Sequence, residues 1–299
     1  MGKISVVINV IEPEIDVLPR ALNSIRTLAD EIVLVDMTSS SKLREIAGKY
    51  SAVVHKHKKE PYVEIARNFG IHKAKNEWIL VMDPDEEITP SLAMVVKKII
   101  KNPDADYYRL PRKNIIFGKW IKHSRWWPDM NIRLFKKGHV SWNEIIHAVP
   151  LTTGVGKDLE VKEENGLIHF HHERVEQYIE RLNRYTTQQA KNIYESGYEF
   201  DWRDIVKKPI NEFLSRYFQG EGYKDGLHGL ALCLLQAFSE LVLYLKVWQL
   251  DNFKEQHADL EEVIAELKES ESDLHYWESD ALLKEVGGLK HRIKRKLKL

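Results

Sequence analysis

Cysteine is almost missing from this 299-residue chain: Cys233 stands alone, inside the apolar segment LALCLLQAF. One thiol excludes an intramolecular disulfide and any cysteine-built zinc knuckle, and this usage suits a reducing compartment. An excess of charge is missing as well. Lysine and arginine total 45, matched by 45 aspartates and glutamates, so the balance gives no electrostatic case for a nucleic-acid partner. Long apolar runs are also lacking. The most apolar region, Gly226 to Leu250, is interrupted by His228, Glu240 and Lys246. Its longest stretch free of such residues, Gly229 to Ser239, is shorter than the ~20 residues of a membrane span, so it reads as a helix able to lie on a membrane rather than cross one. The opening MGKISVVINVIEPE reads as a first strand, not a secretory leader, because an asparagine and then acids follow its short apolar run. No internal repeat and no low-complexity linker is visible.

What remains is an ordinary globular composition, 43% hydrophobic and 30% charged, long enough for one large domain with an appendage. The first third alternates between strand and helix periods. KISVVINVI, EIVLVDM, AVVHKHK and EWILVMD read as strands. EIDVLPRALNSIRTLA, SSKLREIAGKY and YVEIARNFGIHKAK read as the helices between them. Repeated units of this kind predict an α/β fold with a parallel sheet and right-handed crossovers. From Asp106 to about His172 the pattern shifts to shorter strands and turns, DYYRLPRKNII, NIRLFKKG, VSW and GLIHFHH. Beyond Arg174 the chain turns helical.

The fourth strand ends in an unusual way. In WILVMDPDEEITP the apolar run Ile79 to Met82 meets three carboxylates, Asp83, Asp85 and Glu86, within four positions. Acids so close repel one another unless water or a cation screens them. They also suit the start of a helix, here SLAMVVKKII, whose dipole favours negative charge. Asp36, Asp83 and Asp85 all fall at strand carboxyl ends, where parallel sheets bind ligands.

ISVVINV followed by an acid, VLVD, ARNFG and VMDPDEEI stand in an order that resembles the family-2 glycosyltransferases, whose nucleotide-sugar fold is called GT-A. Further on, IIFGKWIKHSRWWPDMNIRLFKKGHVSWNEIIH resembles the subgroup that builds lipopolysaccharide cores and related cell-envelope glycans. The resemblance runs from Ile4 to about Ser196 and weakens beyond it. It implies a Rossmann-like mixed sheet flanked by helices over residues 1–222, with an amphipathic helical extension and basic tail over residues 223–299. It further implies a cytoplasmic, metal-dependent, inverting hexosyltransferase. The donor implied is a UDP-hexose, and the acceptor a sugar hydroxyl of a lipid-linked or surface glycan. An inactive protein that keeps the fold and binds only nucleotide or carbohydrate is the alternative, and the HAVP segment, where the subgroup often has His-Glu, favours it.

Carried onto this chain, the D-x-D motif is DPD. Asp85 would bind Mg²⁺ or Mn²⁺, a hard ion that takes carboxylate oxygens, while Asp83 would meet ribose or assist the metal. Asp36 would accept from the nucleobase, although the same residue suits a helix cap. Glu12 would lie near base and ribose, and Arg67 with Asn68 near the nucleotide phosphates. A late histidine completes the metal shell in several GT-A enzymes, which makes His169 or His171 of LIHFHHER a candidate. An acceptor hydroxyl needs a proton acceptor as it attacks. Glu144 is the first candidate and Asp129 the second, with His147 as a positioning or metal-neighbouring residue. Trp120, Trp126 and Trp127 offer ring faces on which an acceptor sugar can stack, or else form a hydrophobic corner.

The last fifty residues divide by charge. Lys254 to Asp280 holds ten acids against two lysines, whereas Lys284 to Leu299 holds seven basic residues against one glutamate. Two solvated helices packing on each other account for this. So does a basic helix, LKHRIKRKLKL, lying on anionic lipid at the inner face of the cell membrane.

Overall fold

A computed structural model describes residues 2–38, 40–60, 63–142 and 150–298. Its elements run β1 (Ile4–Val10), α1 (Leu18–Ile25), β2 (Glu31–Asp36), α2 (Ser41–Lys49), β3 (Val53–Lys56), α3 (Val63–Lys73), β4 (Trp78–Met82), β5 (Glu86–Glu87) and α4 (Pro90–Lys101). Then follow β6 (Tyr107–Ile116), β7 (Lys119–Trp120), β8 (Asp129–Lys136), β9 (Val140–Ser141), β10 (Leu151–Thr152), β11 (Gly156–Asp158) and β12 (Leu167–His172). Five helices complete the chain: α5 (Val175–Glu195), α6 (Asp204–Leu214), α7 (Leu227–Leu250), α8 (Leu260–Glu285) and α9 (Leu289–Leu297). Two compact units result, one of Met1–Ile115 with Pro128–His171, the other of Ile116–Trp127 with His172–Leu299.

The first unit is built on a mixed sheet in the order β3-β2-β1-β4-β8-β6-β12-β5. Strands β1 to β4 pair in parallel, and β8 returns antiparallel on both β4 and β6. Every residue of β1 and of β4 is buried, as expected of strands covered on both faces. Alternation along β1 divides the core. Val6, Ile8 and Val10 pack with Leu22 and Ile25 of α1 and Leu92 and Val96 of α4, while Val7 packs with Val33 and Ile71 in a separate cluster. Helix α3 approaches that second face closely. A Cβ at Gly70 would stand 2.6 Å from Val7 Cγ1 and 2.7 Å from Val35 Cγ2.

Two local expectations change. The first helix begins at Leu18 rather than near Glu14, after a 3₁₀ turn over Glu12–Glu14, with Pro19 in its first turn. Proline lacks an N–H and is best placed there. Glu86 and Glu87 do not open a helix. They form β5, paired with Ile168 and His169 of β12, and Thr89 caps α4 by accepting from Leu92 N at 3.1 Å.

In the second unit α7 packs on α5 and α6, and α8 packs on α9 and α6. The buried side of α7 is a stripe at helical spacing, Leu232, Cys233, Leu243, Tyr244 and Val247. Lys246, an interruption in the apolar sequence, sets its Nζ 2.7 Å from Asn183 Oδ1 and 2.8 Å from both Thr186 Oγ1 and Thr187 Oγ1 of α5. Contrary to the expectation from the sequence, α7 is by length and composition alone long and apolar enough to cross a membrane.

Candidate functional site

The site grows from the turn Asp83-Pro84-Asp85-Glu86. β4 runs out of apolar residues at Met82, and the chain reverses over Pro84, whose fixed φ suits the second position of a turn. Glu86 N donates to Asp83 O at 3.0 Å, and Asp83 N donates to Glu86 Oε2 at 2.9 Å. The Glu86 carboxylate is therefore held by the turn's own backbone.

Arginines surround the inner acids. Arg67 Nη2 lies 2.7 Å from Asp83 Oδ1, and Arg133 Nη2 lies 2.7 Å from Asp83 Oδ2 while also bonding Glu86 Oε1. Glu86 is wholly buried, and Arg133 nearly so. Burial works against the charged form of Asp83, but the Arg133 and Arg67 guanidiniums outweigh it and hold the carboxyl below the usual range. At Glu86 burial wins, aided by the neighbouring Asp83 charge, and its pKa rises despite Arg133. Arg112 joins the cluster from β6. Its Nη2 is 2.6 Å from Asp129 Oδ2 and its Nη1 is 3.6 Å from Glu86 Oε1.

Asp85 faces a different environment. Its carbonyl accepts from Phe170 N at 2.9 Å, which extends the β5–β12 ladder and sets His169 beside it. Asp85 Oδ2 stands 3.5 Å from His169 Nε2, and His171 Nδ1 stands 3.3 Å from the same nitrogen. The other ring nitrogen of His169 is committed. Asp129 can only accept, so the Asn114 Nδ2 that lies 3.1 Å from Asp129 Oδ2 turns the amide oxygen toward His169 Nδ1, at 2.7 Å. Nδ1 therefore carries the proton. Nε2 faces both His171 Nδ1 and the Asp85 carboxylate, and it is the ring nitrogen that a metal ion would use. Asn114 and His169 are both buried, which fixes this orientation.

Among the described residues no group of three or more His, Cys, Asp or Glu forms a metal cage. An oxygen from Asp85 with a nitrogen from His169 fits Mg²⁺ or Mn²⁺ of the kind that keeps most positions for phosphate and water.

The remaining expected residues are placed as follows. Asp36 ends β2, on the same sheet edge as Asp83, and its Oδ1 accepts from Thr38 N at 2.8 Å and Thr38 Oγ1 at 2.7 Å. It closes an Asx turn; Ser40 is the residue that caps α2. Glu12 is exposed in its 3₁₀ turn. Asn68 clamps the backbone of Trp142, donating to its carbonyl at 2.7 Å and accepting from its N–H at 2.9 Å, so it anchors that strand end instead of facing a ligand. Arg67 lies over the Trp142 ring at 5.4 Å. Asp129 opens β8 opposite Arg112; burial works against its charged form, but Arg112, Asn114 and Asn131 hold its carboxyl below the usual range. Glu144 and His147 lie outside the described residues. In the second unit Trp120 and Trp127 meet edge to face at 5.2 Å, with Lys122 Nζ 4.1 Å above Trp120, while Trp126 packs with Ile116, Ile121 and Leu182.

Sequence reasoning placed Glu86 beside Asp83 and Asp85 but missed that it is buried and that Arg112, Asn114 and Arg133 join the cluster. One signal was present: Arg112 and Asn114 share a strand face, and Arg133 sits in the otherwise apolar IRLF.

A model of glycosyl transferase family 2 matches residues 5–155. An uncharacterized glycosyltransferase of Rickettsia typhi is 26% identical over 242 residues, covering 78% of this chain and 82% of the relative. The lipopolysaccharide core biosynthesis glycosyltransferase LpsC of Rhizobium meliloti is 22% identical over 240 residues, 78% of this chain and 87% of its own. Among solved structures, Staphylococcus aureus TarS 1–349 in complex with UDP-GlcNAc is similar with a TM-score of 0.45 at 14% identity, over 86% of this chain and 94% of that one. The matched segment contains β1 through the turn at Asp83 and on to Asp129, and the mixed sheet has the GT-A arrangement; the chain belongs to glycosyl transferase family 2.

Proposed function

We propose that this glycosyltransferase moves a hexose from a UDP-sugar to a hydroxyl of a lipid-linked or cell-surface glycan, with inversion at the anomeric carbon. The observation that carries the reading is the pair Asp85 Oδ2 and His169 Nε2, 3.5 Å apart, beside a turn whose other acids are neutralised by arginine. Asp85 and His169 would hold Mg²⁺ or Mn²⁺, which when bound would supply positive charge for the diphosphate leaving group. Asp83, fixed between Arg67 and Arg133, keeps the turn in shape and presents its remaining surface to ribose. Asp36 accepts from the base, and Glu12 lies along the ribose side. Trp120, Trp126 and Trp127 stack the acceptor sugar.

In the transfer the acceptor oxygen attacks the anomeric carbon from the face opposite the diphosphate. That carbon–oxygen bond forms as the bond to diphosphate breaks, and the hydroxyl proton passes to a carboxylate. Glu144 is the proposed base, because Asp129 is occupied by Arg112, Asn114 and Asn131. His147 is proposed as a positioning or metal-neighbouring residue. Residues 1–222 house the chemistry, and residues 223–299 bring the enzyme against the inner face of the membrane, where a lipid-linked acceptor is displayed.

Release of nucleoside diphosphate from UDP-glucose, UDP-galactose, UDP-GlcNAc and GDP-mannose tests this reading, with Mn²⁺ and with EDTA. Turnover of a UDP-sugar, lost in EDTA and in Glu144→Gln but retained in Asp129→Asn, is expected. Donor binding without turnover of any sugar would point to the inactive, binding-only alternative that the HAVP segment favours.

A further inference from the structure

The acidic and basic halves of the C-terminal sequence meet as α8 and α9. Arg295 Nη1 lies 2.7 Å from Asp280 Oδ1, and Lys298 Nζ lies 2.9 Å from Asp273 Oδ1. Asp280 is buried by this contact and by Lys284, whose Nζ is 3.0 Å away. These pairs fix which side of α9 turns inward. At 100° per residue His291 and Arg295 share the face toward α8, and they are the residues of 289–297 that are half-buried.

The outward face has a definite composition. Leu289, Ile293 and Leu297 fall within one 80° arc at i, i+4 and i+8, and are 71%, 50% and 58% exposed. Lys290 and Lys294 flank this ridge on one side, Arg292 and Lys296 on the other, and all four are exposed. The cations nearest α8 are drawn into ion pairs, while these four make no ion pair among the described residues. An apolar ridge between two rows of cations, held outward by an acidic backing helix, is the composition that lies in the headgroup region of a bilayer. Leucine and isoleucine enter the acyl boundary there, while long basic side chains reach back to anionic headgroups.

We infer that the Leu289–Leu297 helix is an anionic-lipid docking face, oriented by Asp280 and Asp273 of α8. This deepens the membrane contact proposed above and rests on that reading. Nucleic acid fits less well, because a ridge of three large aliphatic side chains occupies the centre of the cation field.

Sedimentation of the full chain with vesicles of phosphatidylcholine plus phosphatidylglycerol, against phosphatidylcholine alone, tests the inference without donor or acceptor. Wild type is expected to bind the anionic vesicles, less so at high salt. Lys290→Gln with Lys294→Gln is expected to lower partitioning about 25-fold, at about five-fold for each cation. Ile293→Ser with Leu297→Ser should weaken it further and leave its salt dependence in place. Lys97→Gln with Lys98→Gln, on the exposed side of α4, removes the same charge and is expected to leave binding unchanged. Circular dichroism confirms that each variant folds. Equal loss in the α4 control and the α9 variants would overturn the α9 face while leaving a membrane contact standing. Binding that no α9 variant changes would do the same. Absence of vesicle binding by wild type would overturn both.

Discussion

Replacing Arg133 by methionine removes the charge that the buried end of the acidic turn depends on. Arg133 has a side chain 3% exposed and contacts two carboxylates, Asp83 at 2.7 Å and Glu86 more closely still. The two acids fare differently without it. Asp83 keeps Arg67 at 2.7 Å, whereas among the described residues Glu86 keeps only the Asp83 N–H at 2.9 Å and Arg112 Nη1 at 3.6 Å, beyond hydrogen-bond reach. A wholly buried carboxylate with one donor is an uncompensated charge. Breaking a buried pair in this way costs about 3–5 kcal/mol, out of a total stability of ~5–15 kcal/mol. The expected result is a large fall in the urea midpoint of Arg133→Met at pH 7, with an unchanged slope. Adding Glu86→Gln removes the orphaned charge, so the double variant is expected to regain about 1–3 kcal/mol over Arg133→Met alone. The sign of the pH effect follows from Glu86, whose folded pKa burial already raises. Stability linked to that group is complete below its unfolded pKa and is lost as pH rises through the folded value. The penalty of Arg133→Met therefore grows as pH rises above the unfolded carboxyl value of ~4.3, and Glu86→Gln abolishes that growth. A penalty under about 1 kcal/mol, or single-variant effects that simply add, would refute the reasoning.

Other consequences can be measured separately. Asn114→Leu removes the acceptor that holds His169 Nδ1–H, and Mn²⁺ affinity should fall about 10–100-fold by calorimetry. Nitrogen NMR of the metal-free variant should show the His169 ring no longer confined to the Nδ1–H form; an unchanged spectrum and affinity would remove Asn114 from the site. Gly70→Ala should destabilise the first unit by about 1–3 kcal/mol in urea unfolding, since its Cβ would meet Val7 and Val35 below 3 Å. Asp83 and Asp129 have depressed pKa values, so the stability they give is present above the unfolded pKa near ~3.9 and lost as pH falls through their folded values. Acid unfolding of Asp129→Asn should accordingly be less steep than that of wild type.

The parallel half of the sheet was legible because β1 and β4 are apolar throughout and each βα unit closes locally. The acids at its carboxyl edge were legible for the same reason: strand ends mark where ligands bind. Their partners were not. Arg133 comes from β8 and Arg112 with Asn114 from β6, strands that return antiparallel from elsewhere in the chain. Pairing register, which no local pattern states, brings them to the turn. Glu86 shows the limit most clearly, since an acid three residues before a helix cap looks solvated until β12 pairs with it. Asn68 shows the converse: a polar helix residue near a motif arginine reads as ligand-facing, yet its amide is committed to Trp142.

Asp85 and His169 are proposed to hold a divalent ion under a nucleoside diphosphate. Calorimetric titration of UDP into the full chain, with Mn²⁺ and with EDTA, tests it most directly when run beside Asp85→Ala and His169→Ala. The account predicts UDP binding that requires Mn²⁺ and disappears in Asp85→Ala. UDP binding equally tight in EDTA, or retained in both variants, would contradict it.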